Sequence, residues 1–251
     1  MQTPTIERVR ATRTARSPAS VVAYAGAAAF TVASGWFWLA TKNVTLTPPP
    51  RIGPHVPPLQ GMRIYYRWQV TTLPQERYYI SIAIAGFLCL ATSAFSVRDL
   101  LGRDRAPAVI GAGLVGAGSL LWIAGSVLEL GGHRAVGLMA THANPIQTTN
   151  SIAFTVDMIA AALALAAFAV IGAGMLVLAW VPAQERPTHR GWMAWTVLTA
   201  LVMLVTAGSY AAGPAGFTEL LLVAGGVVLL PAWLVWTSRT GGLAGPSPDA
   251  A

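Results

Sequence analysis

The chain has 251 residues, of which 55% are hydrophobic and only 10% charged, and its mean hydropathy is +0.58. A soluble domain carries roughly a quarter charged residues, so a water-soluble globule is excluded. The 16 Lys and Arg outnumber the 9 Asp and Glu, but they lie scattered between apolar runs, which argues against nucleic acid as a partner, and the single cysteine, Cys89, rules out an intrachain disulfide, a CxxC redox pair and a Cys-based zinc site.

In chain order, residues 1–20 form a basic tail without apolar periodicity, expected to be disordered. Runs of about 20 apolar residues, the length that crosses a bilayer, then follow at 21–40, 78–97, 108–130, 151–180, 192–210 and 218–236. The first is too long for a signal-peptide core, and Trp36-Phe37-Trp38 stands where small residues should precede cleavage, so it reads as an uncleaved span. Between the first two runs lies a loop, 41–77. Its stretch from Thr47 to Pro58 holds six prolines and predicts a polyproline-like path. The aromatic and arginine segment that follows, with Arg63, Tyr65, Tyr66, Arg67 and Trp68, predicts a segment lying in the membrane interface or a contact with a partner subunit. Gly131 and Gly132 predict the end of the third helix. The fourth run is long enough to tilt, or to place its polar start, Ser151 to Asp157, in the interface. Residues 238–251 form a second disordered tail. The fold class expected is all-α: a single membrane domain over 21–237 with six transmembrane helices.

Short cytoplasmic loops retain Lys and Arg. With the amino terminus inside, ten of the sixteen basic residues fall inside and six outside, five of those six in the one long loop. Both termini are therefore expected in the cytoplasm, with the long loop outside. The dominance of Arg over Lys in an Ala- and Gly-rich chain suggests a GC-rich bacterial genome, and hence a bacterial cytoplasmic membrane.

Gly111-Ala112-Gly113-Leu114-Val115-Gly116 matches the G-x-G-x-x-G pattern of dinucleotide-binding folds, with Glu129 at 18 residues from Gly111. That fingerprint needs a strand before it and a soluble βαβ unit around it, neither of which the apolar run offers. The same residues form small-xxx-small pairs, Ala112 with Gly116 and Gly113 with Ala117, which predict close helix packing.

An acid at a helix centre costs about 2.5 to 3.5 kcal/mol on insertion scales, so acids in or beside the spans carry information. Glu129, Asp157 and Glu219 all fall toward the outer side, and His133, Arg134 and His142 join them there. Three uses of this layer compete. One pairs the acids with arginines to pin the outer loop, an arrangement that suits a non-catalytic accessory or assembly subunit touching other membrane proteins. The second makes Asp157 the titrating group of a small proton-coupled transporter. The third has His133, His142, Glu129 and Asp157 ligate a metal or haem, although no dense ligand motif is present. The first is the reading the sequence favours. No cofactor and no catalytic residue is identified, and the lipid bilayer is the one partner that composition itself requires.

Overall fold

The computed structural model describes residues 18–41, 53, 55–142, 145–183, 190–212 and 215–241, and every regular element among them is helical. In order these are α1 (Pro18–Thr41), α2 (Pro58–Gly102), α3 (Ala106–Thr141), α4 (Ile146–Ala183), α5 (Arg190–Ala212), α6 (Ala215–Ala224) and α7 (Leu230–Gly241), the last two joined by a π turn, Gly225–Leu229, into one span. Six helices are long and apolar enough to cross a membrane, and the apolar bundle they form is consistent with a multi-pass integral membrane protein.

The spans pack mainly on their neighbours in sequence, and the circuit closes where α7 returns to α1. A ring of six helices, each about 10 Å across, leaves space at its centre. In the half of the ring near Pro18 and Gly241, here the terminal end, that space is filled by Leu90, Ile171, Met175 and Trp233, all fully buried. The indoles there are tied by hydrogen bonds: Trp233 Nε1–H donates to Thr196 Oγ1 at 3.0 Å and Trp192 Nε1–H to Thr237 Oγ1 at 3.2 Å. The other half, the far end, is left hollow.

The tightest part of the ring is the seam between α3 and α4. Gly111, Gly118, Gly125 and Gly132 recur every seven residues on α3, and they meet Gly174, Ala167, Ala160 and Val156 on α4 in antiparallel register. A Cβ added at Gly118 would stand 2.6 Å from Ile171 Cγ1 and 2.8 Å from the Ala167 carbonyl oxygen, and one at Gly111 would stand 3.0 Å from the Gly174 oxygen. A strict heptad of small residues keeps one face of each helix on its neighbour along a left-handed crossing. Of the four packing residues expected from the sequence, Ala112 and Gly116 are buried, Gly116 against the Phe95 ring, whereas Gly113 and Ala117 face outward.

Three sequence expectations are corrected. First, part of the 41–77 loop is not a loop: α2 begins at Pro58, with Pro57 and Pro58 placed where a helix start tolerates proline, and runs on through Pro74 into the second span. The proline-rich segment before it lies largely outside the described residues. Second, Gly131 and Gly132 do not end the third helix, which continues to Thr141. Gly132 is retained because Val156 occupies the place its Cβ would need. Third, α4 starts at Ile146, five residues before the apolar run.

As a result α2, α3 and α4, with 45, 36 and 38 residues, reach roughly 55 to 70 Å at 1.5 Å per residue, well beyond the ~30 Å hydrocarbon core. Their excess gathers at the far end as a three-helix stalk. It has its own small core of Tyr66, Val136, Ala140, Ile146 and Ala153.

The seam yields a paired prediction. Gly118→Leu should lower stability by about 1 to 3 kcal/mol, the cost of overpacking. Gly113→Ala, at a site with nothing within 4 Å of the added carbon, should cost nothing. Thermal unfolding of the two variants in detergent gives the comparison.

Candidate functional site: a central chamber beneath a histidine and carboxylate cluster

The hollow half of the ring is a chamber of about 200 Å³ walled by all six spans. Each wall is one helical stripe, since residues three and four apart share a face. On α3 the stripe is Trp122, Gly125, Ser126 and Glu129; on α2 it is Tyr79, Ile80, Ala83 and Phe87; on α4 it is Ala160, Ala164 and Phe168. The opposite side is Phe30, Ser34 and Phe37 of α1 and Met203, Thr206 and Tyr210 of α5, closed by Leu221, Leu222, Gly226 and Leu230.

Seven of these side chains are aromatic, and they hold one another in place. Phe87 stacks on Trp122 at 4.1 Å between centroids and meets Phe30 edge to face at 5.0 Å, while Phe168 stacks on Tyr210 at 6.0 Å. Such pairs contribute about 0.5 to 1.5 kcal/mol each beyond area burial. The wall of the sixth span is shaped by the π turn. Pro231 has no N–H to donate, and the helix meets it with a wider turn in which the Leu230 N–H bonds to the Gly225 oxygen. The span continues through Gly225-Gly226 and Pro231 without a break. Gly226 in that turn lets α1 approach, because Ser34 fills the place of its missing Cβ.

The same stripes carry the charged groups one turn farther out. Glu76 precedes Tyr79 on α2, Asp157 precedes Ala160 on α4, and His133 follows Glu129 at i+4 on α3. His133 stands between two carboxylates, with Nε2 at 3.3 Å from Asp157 Oδ1 and Nδ1 at 3.5 Å from Glu76 Oε2. The second contact is at ion-pair distance without hydrogen-bond alignment, so Nδ1 is buried with no hydrogen-bond partner. Both ring nitrogens face acceptors, and only the doubly protonated imidazole has an N–H for each. The Glu76 and His133 side chains are each 15% exposed, whereas Asp157 is 60% exposed at the rim. Thr72 Oγ1–H, fully buried, donates to the Gln69 oxygen at 2.9 Å and lies 3.4 Å from Glu76 Oε1.

The residues singled out in the sequence therefore divide. Glu129, His133 and Asp157 come together; Arg134 is exposed beside them. His142 ends α3, its Nδ1 at 2.7 Å from the Leu138 oxygen. Glu219 lies in α6 and, among the described residues, pairs with none of the cluster. The metal set His133, His142, Glu129 and Asp157 does not assemble, and no group of three or more His, Cys, Asp or Glu side chains among the described residues is placed to hold a metal ion.

The interfacial segment also changes role. Tyr66 is buried in the stalk and donates to Asn150 Oδ1 at 2.6 Å, and Arg67 Nε–H donates to the Ala140 oxygen at 3.2 Å. Both bonds tie the helices of the stalk to one another. Tyr65 is exposed and packs at a tilt against Trp68, 5.4 Å between ring centroids, and Arg63 lies half-buried on the same helix. Burial pushes the Tyr65 and Tyr66 phenols above their ordinary value, assisted by Glu76 and Asp157 for Tyr65 and by Asp157 and Tyr65 for Tyr66.

Two features of this region escape the sequence reading. Glu76 falls in the expected 41–77 loop, although Glu76, Tyr79, Ile80, Ala83 and Phe87 already follow helical spacing. The glycine heptad is visible in the sequence only when a seven-residue period is sought instead of a four-residue one.

No protein-family model, no curated protein and no solved structure matches the chain.

Tyr66→Phe should cost about 0.5 to 1.5 kcal/mol through loss of the bond to Asn150. A raised folded-state value means that the unfolded chain releases the phenolic proton first. The stalk's stability should accordingly be flat through neutral pH and fall above the ordinary phenol value of about 10, less steeply in Tyr66→Phe. Chemical unfolding at pH 8 and above checks both.

Proposed function

We propose that this membrane protein binds a small solute in its central chamber and carries it in exchange for, or together with, a proton. The observation that carries the reading is the chamber itself: a six-walled space whose lining offers aromatic rings, three hydroxyl-bearing residues of the Ser/Thr type and one carboxyl, Glu129. Ionisable groups at membrane depth mark solute and proton pathways, and an α-helix interrupted by a π turn beside a cavity is a recurrent feature of functional sites.

On this reading the central titrating group is Glu129, not Asp157. Asp157 sits at the exposed rim and holds His133, which stands one turn from Glu129 on the same face. An imidazole thus stands, along these helical faces, between the rim carboxylate of Asp157 and the chamber carboxylate of Glu129, the order a proton relay would use. Lipid surrounds the apolar outer faces, and we place both termini on the cytoplasmic side of a bacterial plasma membrane, with the stalk outside, on the arginine distribution.

The accessory or assembly role keeps one observation in its favour. Leu59, Met62 and Tyr65 are 45%, 36% and 41% exposed on the part of α2 that precedes its apolar span, where a partner subunit rather than lipid would cover them.

In proteoliposomes, Glu129→Gln should abolish proton movement coupled to solute addition, whereas Asp157→Asn should slow it by less than about tenfold, a change of about 1.4 kcal/mol. Coupling unaffected by Glu129→Gln, together with stoichiometric copurification of a second membrane protein in mild detergent, would instead establish the accessory role. Single cysteines at positions 55 and 240 in a Cys89→Ala background should label from opposite sides of the membrane. Labelling from one side would refute the threading.

A further inference from the structure

We propose that the chamber's ligand is a compact organic monocation, a quaternary or protonated amine on a small apolar body, held by the Glu129 carboxylate and the surrounding aromatic faces. The inference rests on the chamber being a binding site, and it adds the chemical class of what binds.

Charge decides the class. Among the described residues, Glu129 is the one charged side chain that lines the chamber, and no Lys or Arg lines it. The nearest base is His133, which is already held between Glu76 and Asp157. Among the side chains that line the chamber or contact His133, the carboxylates of Glu129, Glu76 and Asp157 outnumber the single imidazole. Arg77 and Arg134, the arginines next to Glu76 and His133 in sequence, are both exposed. An anionic solute would meet repulsion, and a neutral one would displace water from Glu129 without supplying a counter-charge.

The rings strengthen the same preference. Aromatic faces carry negative potential, and cages of them select quaternary ammonium groups. Phe87 and Trp122 stack within this wall, and Tyr79 and Tyr210 flank the carboxyl side. Size then limits the body of the ligand. Drug-sized sites occupy about 300 to 1,000 Å³, while an apolar cavity of about 150 Å³ takes benzene. A chamber of about 200 Å³ accommodates one ring, or an equivalent aliphatic body, with a trimethylammonium-sized head.

Phenyltrimethylammonium meets this description, and tert-butylbenzene is its uncharged counterpart in shape. The test is binding of radiolabelled phenyltrimethylammonium to the full chain purified in mild detergent, with tert-butylbenzene and benzenesulfonate as competitors. Saturable binding is expected, at least tenfold weaker in Glu129→Gln, unaffected by benzenesulfonate and displaced at most weakly by tert-butylbenzene. Glu129→Gln must elute and melt as wild type; should it not, the competition series on the wild-type chain decides alone. Displacement by tert-butylbenzene as effective as by the unlabelled cation would overturn the cationic class and leave the chamber as an apolar binding site. Saturable binding that persists in Ala164→Phe, designed to fill the chamber and used once it is shown to melt as wild type, would overturn the chamber itself. Absence of saturable cation binding in the wild-type chain, with stabilisation by tert-butylbenzene, overturns the class alone; absence of any effect from either compound overturns both.

Discussion

The close approach of α3 and α4 fixes the geometry on which the rest of this protein depends. Four glycines at seven-residue intervals bring the α3 backbone against Gly174, Ala167, Ala160 and Val156 of α4. Between apolar helices in lipid the hydrophobic effect gives little preference for contact, so association rests on packing and on how near the backbones come. The seam runs the whole height of the bundle and continues into the stalk. It therefore sets not only a distance but a rotation: with the glycines turned toward α4, the stripe of Trp122, Ser126, Glu129 and His133 is turned toward the middle of the ring.

From that rotation the site follows. The ring arrangement hollows the bundle, and large side chains fill it at the terminal end, where Trp233 and Met175 are fully buried. At the far end alanines and glycines line α3 and α4, and the space stays open. Aromatic residues from α1 and α2 then meet along one side of it, Phe30 with Phe87 and Phe37 with Tyr79, while Tyr210 of α5 stacks on Phe168. The seam that brings Val156 onto Gly132 also brings Asp157 to His133, so the polar cluster and the chamber are two levels of one set of helical faces.

How far the sequence could be read depended on the kind of signal each feature leaves. Apolar length is a local property, and six spans and an all-helical fold were legible from it. Helix ends were less so. Pro74 and the pair Gly131-Gly132 carry strong local signals for a break, and both were overridden by packing: the stalk core around Tyr66 and Val136 stabilises helix beyond the lipid, and Val156 makes glycine the residue that fits at 132. Glu129, His133 and Asp157 could be gathered by depth alone, but Glu76 could not, because its helix was not foreseen. His142 and Glu219 lie at comparable depth and do not join.

Composition and run length thus determined that the chain is a bundle of six apolar helices, because the requirement to satisfy backbone hydrogen bonds in lipid leaves few alternatives. Which faces of those helices look inward was decided by tertiary structure, since in spans apolar on every side no amphipathic stripe marks the core, and the choice falls to where two backbones can come closest. The chamber, its aromatic lining and the pairing of His133 with Glu76 and Asp157 exist only once that choice is made.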